Sequence, residues 1–289
     1  MNQVKPFIIA EIGCNHKGEM DIAKEMIRTA AIFCKVDAVK FQKRNPKELL
    51  TPEEYNAPHP NAMHAYGATY GEHREYLEFT LAQHEELKWE CESNNVIYST
   101  SVWDTTSALE IASLKPEFIK IPSACNLDFD MLGKLLDVYD GEIHLSFGMT
   151  TKEEELRILQ FFAERDRLHQ LIIYSCVSGY PVTFEDLSLL DIRRLHESYG
   201  DKVKAIGFSG HHLGIAADIA AFTLGATFIE RHFTLDRTWK GTDHAASLEP
   251  DGMRRLARDL RNVAKALTYK REDLLDVEKV QRKKLKRKV

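Results

Sequence analysis

Long apolar runs are missing from this chain. The first, Phe7-Ile8-Ile9-Ala10, gives way to Glu11 after four residues, far short of the about 20 that span a bilayer and unlike the core of a secretory leader. Neither a membrane anchor nor export is expected. Cysteine is sparse as well: five residues, at 14, 34, 91, 125 and 176, odd in number and without a CxxC pair. That usage suits a reducing cytoplasm rather than a disulfide framework. No glycine-rich dinucleotide loop follows the first apolar run, where Glu11-Ile12-Gly13-Cys14-Asn15-His16 stands instead. Positive charge is scarce outside one end. The net charge is −5, yet residues 279–289 hold seven Lys/Arg and no acid, leaving −12 for residues 1–278. Such an acidic body argues against nucleic acid as a partner. The basic end reads as a solvated helix or linker, with contact to nucleic acid or acidic lipid as the alternative.

What the chain has is alternation. Short β-rich runs at 7–10, 38–41, 96–99, 118–121, 143–145, 171–174, 205–208 and 227–229 are separated by helical patterns at 21–33, 82–94, 106–114, 129–139, 153–164, 187–199 and 215–224. A last helix, near 252–267, follows the eighth run. Thr151 ahead of Glu153 and Glu154 marks one helix start. Eight strands and eight helices in about 260 residues predict an α/β fold, a TIM (β/α)8 barrel, with an open doubly wound sheet as the alternative. The domain expectation is a barrel over 1–268 and a charged C-terminal tail over 269–289. The stretch 43–78 has no periodicity and is rich in His, Pro, Tyr and Asn. It is expected to be a substrate-facing loop.

The polar residues closing these strands carry the chemistry. Ser209-Gly210-His211-His212 and Glu230-Arg231-His232 lie 21 residues apart, each after a short apolar run, with a helical stretch between them. A strand–helix–strand unit puts them side by side at the mouth of a barrel, where two imidazoles can share a divalent metal. Glu11, Lys40, Gln42, Thr100, Ser101, Lys120, Ser123, Ser146, Ser175, Cys176 and Ser178 close the other strands. One Lys after a strand is ordinarily a solvated cap. Lys40 and Lys120 aimed into one mouth, with several hydroxyls, read as a receptor for phosphate or carboxylate.

At these residues the chain resembles the sialic acid synthase family, whose members condense phosphoenolpyruvate with an N-acylated amino sugar. The resemblance is carried by Ala10-Glu11-Ile12-Gly13-Cys14-Asn15-His16-Lys17-Gly18, Val39-Lys40-Phe41-Gln42, Tyr70-Gly71-Glu72-His73-Arg74, Ser146-Phe147-Gly148-Met149 and Gly207-Phe208-Ser209-Gly210-His211. It continues through Glu230-Arg231-His232-Phe233-Thr234-Leu235-Asp236-Arg237, Gly241-Thr242-Asp243-His244 and Ser247-Leu248-Glu249-Pro250, and covers residues 6 to 268. It implies a transferase joining phosphoenolpyruvate to N-acetylmannosamine or its 6-phosphate. The alternatives are another aldose (a diacetamido-sugar, mannose or mannose 6-phosphate) or a non-catalytic barrel that binds a sugar or a partner.

By the same resemblance His211 and His232 hold a divalent metal, Mn²⁺ first, with Mg²⁺ or Co²⁺ as alternatives, and His212 supports them. Glu11, Lys40, Lys120, Glu230 and Asp243 are the expected catalytic residues. Gln42, Ser123, Ser146, Ser178, Tyr180, Ser209, Tyr70 and His73 are expected to bind substrate. Lys240 either serves a sugar phosphate or is solvated. A cytoplasmic homodimer is expected. The chain departs from the family at Cys125, where an acid that contacts the sugar is usual, and at Ser178, often Asn. Many relatives also append an antifreeze-like domain, for which this chain leaves no room. The resemblance thus implies a mouth completed in another way, or a function that has drifted.

Overall fold

Strands buried on both faces, as near-continuous apolar runs, are what a parallel sheet wrapped by helices requires. The computed structural model, which describes residues 4–287, closes eight of them into a barrel in chain order. They are β1 (Phe7–Gly13), β2 (Ala38–Lys43), β3 (Ile97–Val102), β4 (Phe118–Ile121), β5 (Glu142–Ser146), β6 (Leu171–Cys176), β7 (Ala205–Gly210) and β8 (Phe228–His232). Every neighbouring pair is parallel, and β8 closes on β1 through Glu11 opposite His232. The expected TIM barrel is therefore present and the open sheet is not. Residues 1–3 of the expected barrel domain and 288–289 of the tail lie outside the described residues.

Alternation along each strand sorts side chains between two cores. Ile8, Ala10, Val39, Phe41, Ile119, Ile121, Ile143, Leu145, Ile173 and Ile229 face the helices and join the large outer core. Ile9, Ala38, Phe118, Ile172 and Tyr174 face inward and fill the barrel floor. Gly207 lets the large Tyr174 ring sit there, because a Cβ at 207 would lie 2.6 Å from it. Above this apolar floor the inward positions turn polar: Glu11, Lys40, Lys120, Glu230 and Ser209 are all at most 5% exposed.

Seven strands extend beyond their expected C-terminal ends, β5 by one residue, β1 by three, and β2, β3, β6, β7 and β8 by two or three. The polarity that suggested a strand end belongs to residues that continue the ladder inside the barrel. The helical layer is α1 (Met20–Arg28, continued as a π-helix over Thr29–Cys34), α5 (Leu81–Ser93), α6 (Thr105–Ser113), α7 (Phe129–Val138), α8 (Lys152–Ala163), α9 (Asp191–Tyr199), α10 (Ala216–Thr223) and α11 (Pro250–Ala266). Thr151 and Glu154 form a reciprocal capping box at the start of α8.

The segment 43–78 is more regular than its composition suggested. It carries three short helices, α2 (Pro46–Leu49), α3 (Pro52–Asn56) and α4 (Tyr70–Tyr76). Proline in the first turn of α2 and α3, and capping boxes at Thr51 and Thr69, stabilise helices too short to show a period. Beyond the barrel, α12 (Asp276–Leu285) has no buried residue. No helix among the described residues is long and apolar enough to cross a membrane.

Candidate active site

The C-terminal ends of the strands surround a cavity of about 250 Å³, the place where barrel enzymes build their sites. Its walls include Glu11, Lys40, Gln42, Lys120, Ser123 and Ser146, together with Ser178, Tyr180, Ser209, His211, Glu230 and His232. Strand register accounts for the grouping. Glu11 lies opposite Lys40 and His232, and Ser209 opposite Glu230. Lys40 ion-pairs with Glu11, donates to Ser101 Oγ at 2.6 Å and lies 3.8 Å from Glu230. Lys120 donates to Glu230 at 3.1 Å, and its ammonium stands 3.6 Å from the centre of the Tyr174 ring. Ser209 also donates to Glu230, at 3.1 Å, and Gln42 donates to Glu11 at 3.1 Å.

These two carboxylates are held in opposite senses. Burial raises the Glu11 carboxyl, and the Glu230 charge adds to this, although Lys40 and His232 oppose it. Burial would raise Glu230 too, but Lys120 and Lys40 together hold it well below the usual carboxylate range. Burial also lowers the Lys120 ammonium, against the pull of Glu230. Such a pair, one inclined to carry a proton and one kept ionised, is the usual basis for divided acid–base roles.

The two imidazoles stand over this floor with ring centres 5.4 Å apart. Burial and the neighbouring His232 lower His211 to about 3, so the ring is neutral. Its Nδ1 lies 3.1 Å from the Val177 carbonyl, so that nitrogen carries the proton and Nε2 keeps its lone pair. His232 Nδ1 is buried without a hydrogen-bond partner, 3.9 Å from Asp243 Oδ2. Burial opposes ionisation of Asp243, yet His232, Thr242 and Arg44 lower it. Among the described residues no three His, Cys, Asp or Glu side chains converge on one point. The donor set therefore fits an ion held by two imidazoles, whose other positions remain open to water or substrate oxygen, rather than a closed structural site.

A second cavity, of about 340 Å³, adjoins the first and shares Gln42, Trp103, Tyr180 and His232 with it. Here lie Tyr70, His73 and Asp243, together with Cys14, Arg44, His59, Asn61, Arg74 and Thr242. Arg44 is neutralised by Glu78, through Nε to Oε1 at 2.6 Å, and its Nη2 donates to Cys14 Sγ at 2.7 Å. Arg74 donates to the Tyr70 hydroxyl at 3.0 and 2.5 Å.

The expected site residues thus fall into two joined chambers, with Tyr70, His73 and Asp243 confined to the outer one. Cys125 turns away from both: its thiol meets the Trp103 carbonyl at 3.1 Å, and it is buried. Trp103 walls both cavities, while Asp104 caps α6 by accepting from Ser107 N at 2.7 Å. His212 is fully buried behind the mouth against Arg231 and Asp218. Sequence reading missed Arg44 and Arg74. The second stood in plain view, at the end of Tyr70-Gly71-Glu72-His73-Arg74.

The chain is similar to known proteins in sequence and in fold. A profile of the NeuB family matches residues 26–272. The N-acetylneuraminate-9-phosphate synthase of Mus musculus is 36% identical over 272 residues, which are 94% of this chain and 74% of that protein. The N,N'-diacetyllegionaminic acid synthase of Campylobacter jejuni is 32% identical over 264 residues, 91% of this chain and 78% of that one. Among solved structures, N-acetylneuraminic acid (sialic acid) synthetase from Leptospira borgpetersenii, in complex with citrate, superposes with a TM-score of 0.81 at 27% identity, covering 98% of this chain and 93% of its own.

Proposed function

This chain belongs to the NeuB family, and from that premise we propose that it condenses phosphoenolpyruvate with N-acetylmannosamine or its 6-phosphate, forming a nonulosonic acid and releasing phosphate. The observation that carries the reading is the convergence of Glu11, Lys40, Lys120 and Glu230 beneath His211 and His232 in one cavity.

In this reaction C3 of phosphoenolpyruvate bonds to the aldehyde carbon of the open-chain sugar, and the carbonyl oxygen takes up a proton. Positive charge develops at C2, where water adds and loses a proton. The bond from C2 to the phosphate oxygen then breaks, leaving the 2-keto acid and inorganic phosphate. Lys40 and Lys120, with the hydroxyls of Ser123, Ser146 and Ser209, hold the carboxylate and phosphate. Charge-assisted hydrogen bonds aimed before the reaction begins are the largest contribution such a site can make. Glu230, kept ionised by its lysines, faces the charge that develops at C2. Glu11, inclined to carry a proton, gives it to the aldehyde oxygen and, then ionised, takes one from the adding water. Gln42 orients Glu11, and Tyr180, Ser178 and Asp243 position the sugar.

A divalent ion on His211 and His232 would supply Lewis-acid polarisation of the aldehyde. The donor set favours one: His211 Nδ1 faces the Val177 carbonyl, which leaves its Nε2 lone pair free, and His232 Nδ1 is buried without a hydrogen-bond partner. Mn²⁺ is our first choice, with Mg²⁺ and Co²⁺ as alternatives. A homodimer in the cytoplasm is proposed on family grounds, the latter in keeping with five free cysteines. The barrel over 1–268 and the tail over 269–289 are proposed as separate units.

The test is consumption of phosphoenolpyruvate with Mn²⁺ across N-acetylmannosamine, its 6-phosphate, mannose, mannose 6-phosphate and a 2,4-diacetamido-sugar. Turnover with either N-acetylmannosamine acceptor supports the reading. Its absence with every acceptor, in folded and metal-loaded protein, overturns it.

A further inference from the structure

Two cations beside the outer chamber have no carboxylate partner among the described residues. Arg44 is paired with Glu78. Among the described residues Arg74 meets only Tyr70, donating to its hydroxyl through Nε and Nη2 with the ring centre 5.0 Å away, so both N–H groups of its Nη1 are unused. Lys240 stands 4.6 Å from the centre of the Tyr66 ring and makes no ion pair. Its charge reaches the same place, because burial first, and then His59, Arg74, Arg44 and Lys240, lower His73 to about 4. His73 is therefore neutral, and its Nδ1 accepts from Tyr66 N at 3.1 Å. The ring proton must sit on Nε2, which makes that nitrogen a donor. Asp243, the one carboxylate lining this chamber among the described residues, lies 3.9 Å from His232 at the junction with the inner cavity.

We propose that the outer chamber receives a dianionic phosphoryl group at the far end of the acceptor sugar, with Arg74 as the residue that selects for it. The inference rests on the condensation reading above and narrows it to a phosphorylated aldose. Two uncompensated cations match a dianion better than a neutral hydroxymethyl group, which would leave them without a counter-charge. Phosphoenolpyruvate does not need this place, because Lys40 and Lys120 lie in the inner cavity. The shared wall of Gln42, Tyr180 and His232 lets one molecule keep its aldehyde at the imidazoles and extend its other end to Arg74. Lys240, exposed on the loop after β8, adds long-range attraction.

The experiment compares kcat/KM for N-acetylmannosamine and for its 6-phosphate, with Mn²⁺ and saturating phosphoenolpyruvate, in the wild type, Arg74→Met and Arg74→Lys. The wild type should prefer the phosphorylated acceptor by about 10- to 100-fold, the range expected of charged hydrogen bonds. Arg74→Met should remove most of that preference through KM of the phosphorylated acceptor, and Arg74→Lys should restore part of it. The ratio guards against a folding defect, which lowers both acceptors together. Equal use of the two acceptors by the wild type, or an unchanged ratio in Arg74→Met, overturns this inference alone. No turnover of either acceptor overturns the condensation reading and this inference with it.

Discussion

A Cβ at residue 148 would lie 2.3 Å from Ser178 Oγ and 2.5 Å from Ser123 Oγ, so the bare backbone of Gly148 is what lets two hydroxyls meet at the cavity wall. Gly148→Ala should push them apart. We expect KM for phosphoenolpyruvate to rise about tenfold, the equivalent of modest overpacking, with little change in melting temperature; an unaltered KM would remove Ser123 from the phosphoenolpyruvate site. His211→Ala should weaken Mn²⁺ binding and cut turnover at least about 100-fold, since even the groups that orient a metal ligand are worth 10- to 100-fold. Its melting temperature should stay close to the wild type, as a residue at the mouth carries little of the core. Near-normal Mn²⁺ affinity in a titration would refute the metal assignment. Much at this scale could be read in advance, because Lys40, Lys120, His211 and His232 each follow an apolar run. Arg74 could not. Its place at the end of Tyr70-Gly71-Glu72-His73-Arg74 was in view, but its role depends on which cations nearby are neutralised, and only the fold shows that.

Strand β8 does two jobs by alternation. Glu230 and His232 point into the mouth, while Arg231 points outward and grips the turn after β7. Its Nη1 donates to Asp218 Oδ2 at 2.6 Å and to the Gly214 carbonyl at 2.8 Å, and its Nη2 to the His212 carbonyl at 2.5 Å. Arg231, Asp218 and His212 are essentially fully buried. The clamp sets the backbone next to His211 from behind. Removing one partner strands a charge: Arg231→Met should cost about 3–5 kcal/mol in urea unfolding. Replacing both, Arg231→Met with Asp218→Leu, should recover most of that loss. A double variant as unstable as the single one would show that packing, not charge, is at stake. The clamp was invisible in the sequence, where Arg231 looked like one more polar residue of a motif. Strand ends were misread for a related reason. Buried polar residues and exposed ones are spelled alike, and only barrel closure separates them.

The whole molecule keeps several histidines neutral away from the imidazole pair. Burial lowers His16 and His84 to about 3, and His144 and His244 to about 4, from 6.5. In the unfolded chain these rings take protons near 6.5; in the fold they do so only near 3 to 4. The unfolded state therefore binds more protons across that window, and stability must fall as pH drops from about 6.5 toward 4. Glu11, raised in the fold, opposes the trend at its lower end. Unfolding free energies measured between pH 7.5 and 5 should decline with a slope approaching about six protons, because His73 and His211 are lowered in the same way. A flat profile would mean that these rings are hydrated rather than buried. The closed barrel itself was legible from eight regular alternations. The second chamber was not, since its walls come from segments distant in the chain.

That division of walls bears on how such an enzyme can change its diet. The bond-making floor is built from strands locked in register, where a single inserted residue would turn an imidazole outward and a guanidinium inward. The chamber beside it borrows His59, Asn61, Tyr70, His73 and Arg74 from the excursion between β2 and α5, whose short helices are held by their own caps. Selection can therefore rewrite that excursion to accept a longer, shorter or differently charged sugar while the catalytic frame stands still. A lineage of this kind would diversify by exchanging one side wall, and a designer wanting a new nonulosonic acid would begin there.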